Sequence, residues 1–475
     1  HDWPDLPLEN TRDTMAAARA WSLPVALGKA AAVLDGEQKS KTGGALIRKL
    51  CCPRSPSKHN PARRVHLGDA PADARALYTY CQQDVNTERS IGDTAPPLSA
   101  AELEIWKLDQ EINSRGVAVD LQALADCQAI VDGVTARMSA ELARLTGGRI
   151  KSAGKVAEIV AMLGEHGIHL PDLRADTVRD ALERPTHAVH AHPWAVAVLE
   201  IRRALGSASV KKLGAIARRV CPDGRLRGLF AYYGADTGRW AGRGPQPQNL
   251  PRGDLAVTVC ECAGGGYQGA RATCHACGAY TAPAKWSHDA ALSALESFRD
   301  HDVDNAITRW GDPLGAVAGC LRALFVAAPG RHFVASDYTA IEAVALAALA
   351  GEDWRLQVFR THGKIYEMSA SKITGTPFDR YLEHKRTTGD HHPHRQAIGK
   401  VAELASGYGG GLSAWRAFGA DKHLSEQEIR DAIRRWRDES PAIVAFWHGV
   451  ERAAVAAIRS PGTVHRYRKI SYHVA

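Results

Sequence analysis

The segment from His332 to Ala350 constrains the fold more than any other part of the chain, because its pattern changes at one acidic residue. The run His332-Phe-Val-Ala-Ser336 is apolar and partly β-branched or aromatic, which predicts a buried strand. Asp337 follows this run directly, and the Ala- and Leu-rich residues from Ile341 onward predict a helix that carries Glu342. A strand-end carboxylate beside a helix-borne carboxylate is suited to hold Mg²⁺ against a phosphate. An ordinary strand–turn–helix with a capping Asp has the same pattern, so the segment alone leaves both interpretations open.

Length and charge limit the class of protein. The chain has 475 residues, enough for several domains with sizeable cores. Hydrophobic residues make up 45% and charged residues 24%, which is typical of a folded, water-soluble protein. The net charge of +8 at pH 7 is compatible with a polyanionic partner. No apolar run has the length of a membrane span, so we expect no membrane contact and a cytoplasmic location.

A second informative segment runs from His394 to Gly411. Pro393 is placed to start a helix, and the glycines at its far end are placed to stop it. Lys400, Leu404 and Tyr408 recur at every fourth position, so an α-helix would carry them on one face. A cation, an apolar side chain and an aromatic ring in that order could contact the phosphate, sugar and base of a nucleotide. The alternative is an amphipathic core helix with an exposed lysine.

The segment from Arg225 to Arg252 is rich in arginine, glycine, proline and aromatic residues. Arginines interleaved with aromatic rings suit a nucleic-acid backbone and its stacked bases, and a solvated basic loop is an equally good interpretation of the composition. The arginines are Arg225, Arg227, Arg239, Arg243 and Arg252, and the aromatic residues are Phe230, Tyr232, Tyr233 and Trp240.

Four of the ten cysteines cluster just after this segment. Cys260-Glu-Cys262 and Cys274-His-Ala-Cys277 frame a glycine-rich stretch. Four thiolates could hold a structural Zn²⁺ tetrahedrally, and loose thiols are the alternative. The first pair has the spacing C-x-C, which is tighter than that of the common zinc knuckle.

These motifs resemble those of the family A DNA polymerases, and most closely those of the phage-encoded branch. Asp337 to Glu342 resembles the first palm motif of the family, and Lys400 to Gly409 resembles the motif of its fingers helix. Thr237-Gly-Arg239 followed by Gln248-Asn-Leu-Pro251 resembles the primer-template motif that lies upstream of both. The order and spacing of the three segments agree with the family. The resemblance covers nearly the whole chain.

Two further positions fit the same family. Arg322, in Leu321-Arg-Ala-Leu-Phe325, resembles a residue near the primer terminus. Tyr80-Cys-Gln-Gln-Asp84 resembles the last motif of the 3′–5′ proofreading exonuclease, in which Asp84 would bind Mg²⁺ and Tyr80 would orient the attacking water.

The resemblance implies a helix-rich α+β architecture, in which part of a ribonuclease-H-like exonuclease domain precedes a right-hand polymerase domain with an incomplete palm. The expected division is the C-terminal part of the exonuclease (1–91), a linker (92–99), the thumb and palm entry (100–224), the palm (225–345) with a Cys-rich insert (253–286), the fingers (346–460) and the start of the return to the palm (461–475).

The resemblance also implies roles for individual residues in template-directed addition of deoxynucleotides to a primer. Asp337 would bind two Mg²⁺ ions, and Lys400 would bind the triphosphate and protonate the leaving pyrophosphate. The nucleotide would contact Tyr338, Glu342, Tyr366, Arg395, Leu404 and Tyr408. Primer-template DNA would contact Lys211, Lys212, Thr237, Arg239, Gln248, Asn249 and Arg322. The implied partners are primer-template DNA and deoxynucleoside triphosphates, bound by a monomer.

The chain departs from the family pattern in several ways. Arg395 lies five residues before Lys400, which is one more than the usual helical turn. The third polymerase motif, a His-Asp-Glu that supplies the second catalytic carboxylate, does not occur in the sequence, and neither do the first two exonuclease motifs. We therefore expect a polymerase fragment with little catalysis of its own. The alternatives are a non-catalytic nucleic-acid-binding protein derived from a polymerase and, less well supported, a stand-alone exonuclease.

Overall fold

The computed structural model describes residues 7–40, 43–56, 63–206, 208–235, 237–262 and 264–474. The chain forms two compact units, His1–Phe333 and Val334–Ala475. The expected palm, 225–345, therefore contributes residues to both units. No helix in the described ranges is both long enough and apolar enough to cross a membrane.

Helices dominate the first unit, as the sequence predicts. Its α-helices are α1 (Thr14–Ala20), α2 (Leu27–Val33), α3 (Gly43–Leu50), α4 (Pro71–Thr94), α5 (Ala100–Arg115), α6 (Leu121–Leu145), α7 (Val156–Glu165), α8 (Ala175–Glu183), α9 (Pro193–Gly206), α10 (Ala208–Ala217), α11 (His288–Ser297), α12 (Val303–Trp310) and α13 (Pro313–Cys320). Its strands are β1 (Val117–Val119), β2 (Arg225–Leu226), β3 (Phe230–Ala231), β4 (Ala241–Gly242), β5 (Val257–Cys260), β6 (Gly266–Gly269), β7 (Ala282–Ala284) and β8 (Phe325–Val326).

The main core of the first unit lies around the long helix α6. Fully buried Ile130 of α6 packs in one cluster with Phe298, Val317 and Leu324. An antiparallel sheet in the order β2–β1–β8 joins this core and connects chain segments that are far apart in sequence. A separate cluster holds α7, α8 and α9 together.

Helices are the regular secondary structure of the N-terminal region in its described residues up to Thr94. Helix α4 continues to Thr94, so the connection to α5 is shorter than the predicted linker 92–99. Ser99 caps α5, since its side chain accepts a hydrogen bond from the backbone N–H of Glu102. The assignment of residues 1–91 to an exonuclease stays a prediction.

The second unit is built from helices and one hairpin. Its α-helices are α14 (Ile341–Ala350), α15 (Asp353–Thr361), α16 (Ile365–Thr374), α17 (Phe378–Thr388), α18 (Leu412–Ala417), α19 (Glu426–Asp438) and α20 (Pro441–Arg459), and its strands are β9 (Val464–Tyr467) and β10 (Ile470–His473). Two consecutive π-helical segments, Arg395–Lys400 and Ala402–Ser406, lie between α17 and α18. We call these two segments the Lys400 helix.

The predicted buried strand at 332–336 is wrong. Residues 331–338 have no regular secondary structure, and Phe333 and Val334 are 59% and 89% exposed. No strand in the described ranges pairs with this segment, and an extended chain needs a hydrogen-bonded neighbour to form a sheet. The helix predicted after it is confirmed, because α14 begins at Ile341.

Candidate nucleotide-binding site

Helical structure begins at Pro393, as the sequence predicts, and the Lys400 helix that follows from Arg395 winds as a π-helix and not as an α-helix. Its Ile398, Ala402 and Ala405 are buried in the core of the second unit. Lys400 is half-buried, and Tyr408, which follows the helix, is 69% exposed. The positions of the predicted nucleotide stripe are therefore less buried than the positions that face the core.

Gly399 allows this helix to touch its neighbour α16. A Cβ atom built on Gly399 would overlap the backbone carbonyl oxygen of Tyr366 and would lie 3.1 Å from the Cβ of Ala370. The two helices thus meet backbone to backbone, which fixes the position of Lys400 relative to Tyr366.

Replacing Gly399 by alanine is expected to push the Lys400 helix away from α16. The backbone of Tyr366 cannot yield as a flexible side chain would, so we expect a loss of about 1–3 kcal/mol in the free energy of unfolding. Urea denaturation of Gly399→Ala measures it. Gly411→Ala is the matched control, since a Cβ there meets nothing within 4 Å and the backbone has a negative φ. Equal stability of the two variants would contradict the close approach.

A buried ion pair anchors the same helix from the inside. Arg355 of α15 donates to Glu403 at 2.6 Å, and both side chains are 2% exposed. Glu403 also accepts hydrogen bonds from the Ser369 hydroxyl and, at 3.0 Å, from the indole N–H of Trp436. The guanidinium of Arg355 lies 4.8 Å from the centre of the Trp436 ring. Sequence analysis missed Arg355 and Glu403.

Glu342 and Tyr408 line one cavity of about 450 Å³. The remaining walls are mostly apolar and include Leu346 of α14 and Trp447 of α20. The first palm motif and the fingers motif, 66 positions apart in sequence between Glu342 and Tyr408, therefore meet within the second unit.

Asp337 and Tyr338 precede this cavity in the chain. Both are exposed, and the Tyr338 side chain is 80% exposed. Asp337 therefore presents an accessible carboxylate, but from a segment without regular secondary structure and not from the end of a paired strand.

Arg395 and Tyr366 are brought together as a third part of the site. The Nε of Arg395 donates to Glu367 at 2.7 Å, and the guanidinium lies 5.1 Å from the centre of the Tyr366 ring. Burial raises the pKa of Tyr366, so its hydroxyl stays protonated at neutral pH. Glu367 was not predicted from the sequence.

The predicted DNA contacts lie in the first unit, and four of them lie on or against one loop. Lys212 donates to the carbonyl of Asn249 at 2.7 Å, and Arg322 donates to the carbonyl of Leu250 at 2.7 Å. Arg322 lies in the turn after α13 and not within a helix. The loop carries the exposed side chains of Gln248 and Asn249.

The other predicted DNA contacts are exposed. Thr237 and Arg239 lie in the turn of the β3–β4 hairpin, and Lys211 lies on α10.

The predicted exonuclease pair lies on α4. Tyr80 is buried, and Asp84 pairs through one carboxylate oxygen with Lys39 at 2.9 Å. The second oxygen of Asp84 is buried without a hydrogen-bond partner. This orphaned oxygen is compatible with a cation ligand, and the metal role of Asp84 stays a prediction.

The four clustered cysteines converge. Their sulfur atoms lie within 4.8 Å of one another, and the pairs Cys260–Cys277 and Cys262–Cys274 are each 3.7 Å apart. Four sulfurs placed at about 2.3 Å around a tetrahedral Zn²⁺ would be about 3.8 Å apart. Backbone N–H groups of Cys277 and Ala276 point at the Cys274 sulfur and lower the pKa of that thiol to about 6.

Among solved structures, a polymerase domain is similar to this chain in fold. The structure resembles the polymerase domain of Pol1 from M. smegmatis, solved in complex with DNA primer-template and dNTP, with a TM-score of 0.50 and 16% sequence identity. The likeness covers 94% of this chain and 62% of that one, and it shows a polymerase-domain fold. No protein-family model matches the chain.

Two curated proteins are similar in sequence. The DNA polymerase of Bacillus phage SP02 is 35% identical over 458 residues, which cover 94% of this chain and 63% of the phage protein. DNA polymerase I of Treponema pallidum is 29% identical over 126 residues, which cover 26% of this chain and 11% of that enzyme. The chain thus spans just under two thirds of the phage relative. The resemblance to the family A DNA polymerases is confirmed, and the chain is a homologue of the phage and bacterial enzymes.

Proposed function

We propose that the protein is a template-directed DNA polymerase that adds deoxynucleotides to a primer 3′-end. The observation that carries the proposal is the meeting of Glu342 and Tyr408 at one cavity, beside the helix that bears Lys400. A protein that only binds nucleic acid does not need an acid, an aromatic ring and a cation arranged for one nucleotide. The homology to a phage DNA polymerase supports the same conclusion.

In the proposed reaction the primer 3′-hydroxyl loses its proton to solvent, and its oxygen bonds to the α-phosphorus of the triphosphate as the bond to pyrophosphate breaks. Lys400 would hold the triphosphate and give a proton to the departing pyrophosphate. Asp337 and the backbone carbonyl of Tyr338 offer oxygen ligands in an accessible segment, a donor set that fits Mg²⁺. Bound Mg²⁺ would neutralise phosphate charge and lower the pKa of the 3′-hydroxyl. A second carboxylate is not assigned to any residue described.

The cavity also gives a basis for sugar selection. Glu342 lines it, so a carboxylate lies where the sugar of a nucleotide stacked near Tyr408 would sit. A 2′-hydroxyl would crowd that carboxylate, which would disfavour ribonucleotides. Leu404 would line the other side of the sugar.

The test measures nucleotide binding to the 475-residue chain with primer-template DNA and Mg²⁺, since binding does not depend on the second carboxylate. We expect fluorescent deoxynucleoside triphosphates to bind more tightly than the matching ribonucleotides. Glu342→Ala should shrink that difference about tenfold. Glu383→Ala, on exposed α17, is the control and should leave it unchanged.

Two results would count against the proposal. If the chain binds DNA but no nucleotide, the alternative of a non-catalytic nucleic-acid-binding protein is supported. If Glu342→Ala leaves the sugar preference intact, the cavity is not the sugar site.

In the first unit, we propose that DNA binds to the loop at Gln248–Asn249 and to the β3–β4 hairpin that carries Arg239. Lys212 and Arg322 are held against the loop by backbone hydrogen bonds. Cations beside one exposed loop would contact the phosphates of a DNA backbone.

We also propose that the four cysteines hold a structural Zn²⁺. The sulfur spacing fits tetrahedral coordination, and partly buried Arg309 gives independent support. Arg309 donates to the Tyr267 carbonyl at 3.0 Å and to the Ser293 hydroxyl at 2.8 Å, but it forms no ion pair with any carboxylate in the described ranges. Burial lowers the pKa of Arg309, and the nearby Cys274 opposes that change. A zinc centre with four thiolates is anionic and would supply the missing counter-charge.

A further inference from the structure

The winding of the Lys400 helix changes which residues share a face. In an α-helix with 3.6 residues per turn, residues five apart point about 140° away from each other. In a π-helix the backbone hydrogen bonds join residues five apart, so such residues lie on the same side of the helix. Arg395 and Lys400 are the two ends of the first π-helical segment. The five-residue spacing that would separate them in an α-helix therefore places them on the same face here.

Only the Nε of the Arg395 guanidinium donates a hydrogen bond within the described part of the chain. Its Nε donates to Glu367 at 2.7 Å, and the Tyr366 ring supports the guanidinium at 5.1 Å. Its two terminal nitrogens make no hydrogen bond to any of the residues that the structure describes. The Arg395 side chain is 20% exposed, and that of Glu367 is 9% exposed. The buried carboxylate thus fixes a guanidinium whose outer nitrogens remain available to a ligand.

Glu367 is well placed to keep that arrangement. It lies on α16, which meets the Lys400 helix backbone to backbone at Gly399. His391 is its other titratable neighbour, with Nδ1 at 3.6 Å from the same carboxylate oxygen. Burial and the charge of Arg395 lower the pKa of His391, so at neutral pH the imidazole is uncharged and Arg395 is the counter-ion of Glu367.

We propose that Glu367 is a positioning residue, which holds Arg395 so that its terminal nitrogens bind the triphosphate of the incoming nucleotide together with Lys400. The inference rests on the proposed polymerase function. Two parallel N–H groups of a fixed guanidinium match a phosphate, and an arginine already held in place loses less conformational entropy when it binds. Glu367 would touch no substrate atom and would act only through Arg395.

The experiment compares Arg395→Ala, Glu367→Ala and Glu367→Gln in titrations with a fluorescent deoxynucleoside triphosphate and, by competition, with inorganic tripolyphosphate. Arg395→Ala should weaken both ligands about tenfold, because a hydrogen bond to a charged group is strong enough to change an equilibrium constant by that factor. Glu367→Ala should weaken both by a similar factor. Glu367→Gln keeps an oxygen acceptor for Nε and should restore most of the affinity.

The double variant Glu367→Ala/Arg395→Ala should bind no more weakly than Arg395→Ala alone, since Glu367 acts through Arg395. Two further measurements distinguish this role from a merely structural one, the affinity for primer-template DNA and the midpoint of thermal unfolding. Both should change little in Glu367→Gln. Wild-type affinity in Glu367→Ala, or additive losses in the double variant, would overturn the inference. If the wild-type chain itself binds neither ligand, the proposed function fails first.

Discussion

Replacing Glu403 by alanine is expected to lower the free energy of unfolding of the second unit by about 3–5 kcal/mol. The change leaves the guanidinium of Arg355 buried between Trp354 and Trp436 without a counter-charge. A hydrogen bond to the Ser440 hydroxyl, at 2.8 Å, is the polar contact that would remain to it in the described ranges. Denaturation in urea followed by tryptophan fluorescence measures the loss, since Trp436 lies directly at the ion pair.

Two variants make this result interpretable. Glu426→Ala also removes a glutamate paired with arginines, Arg416 and Arg430, but on the surface, where solvent screens the charges and we expect little loss of stability. The double variant Arg355→Met/Glu403→Met removes both buried charges and should cost less than Glu403→Ala alone. If Glu403→Ala is no more destabilising than Glu426→Ala, the buried ion pair does not stabilise the unit.

The buried pair shows why sequence analysis missed part of the site. A glutamate within a helix and an arginine 48 positions away are ordinarily read as solvent-exposed charges. One signal was present, because Glu403 stands between Ala402 and Ala405 on the face that the apolar pattern assigns to the core. A charge on that face requires a buried partner, but the sequence does not say which of the many arginines it is.

The Lys400 helix was predicted correctly in its position and only partly in its geometry. Proline, glycine and apolar spacing are local signals, and they located the start and end of the helix. The π-helical winding depends on tertiary packing, in which Gly399 brings the backbone against Tyr366. The same winding explains the one-residue departure at Arg395, which the sequence alone could only register as an irregularity.

The strand predicted before Asp337 was wrong for a different reason. Its apolar, β-branched pattern predicts a buried strand, and a buried strand requires a neighbouring strand to pair with. In the described structure β8 is the edge strand of the sheet β2–β1–β8. The residues from 331 to 338, which follow β8 in the chain, pair with no described strand. Local composition therefore predicted a strand where the described structure has none, because the pattern does not show whether a pairing partner exists.

The second large effect is expected at the cysteine cluster. The purified chain should contain one zinc per molecule, measured by inductively coupled plasma mass spectrometry. Cys274→Ser should abolish it, because Cys274 is the buried ligand whose sulfur also accepts a backbone N–H bond from Ala276 at 3.4 Å. Apparent zinc-binding free energies in small structural sites are about 10–16 kcal/mol, so loss of the metal should unfold at least the β5–β6–β7 sheet that carries the ligands.

Hydrogen exchange locates that unfolding, since the amides of β5 and β6 around Thr258 should lose protection in Cys274→Ser and after chelation of the wild type. Cys51→Ser is the control, because Cys51 is exposed and lies outside the cluster, and it should keep both zinc and protection. Arg309→Met should weaken zinc retention during chelation without removing a ligand, since it deletes a cation that interacts with the Cys274 thiolate. A wild-type chain that is folded and free of zinc would refute the metal site and would leave the charge of Arg309 unexplained.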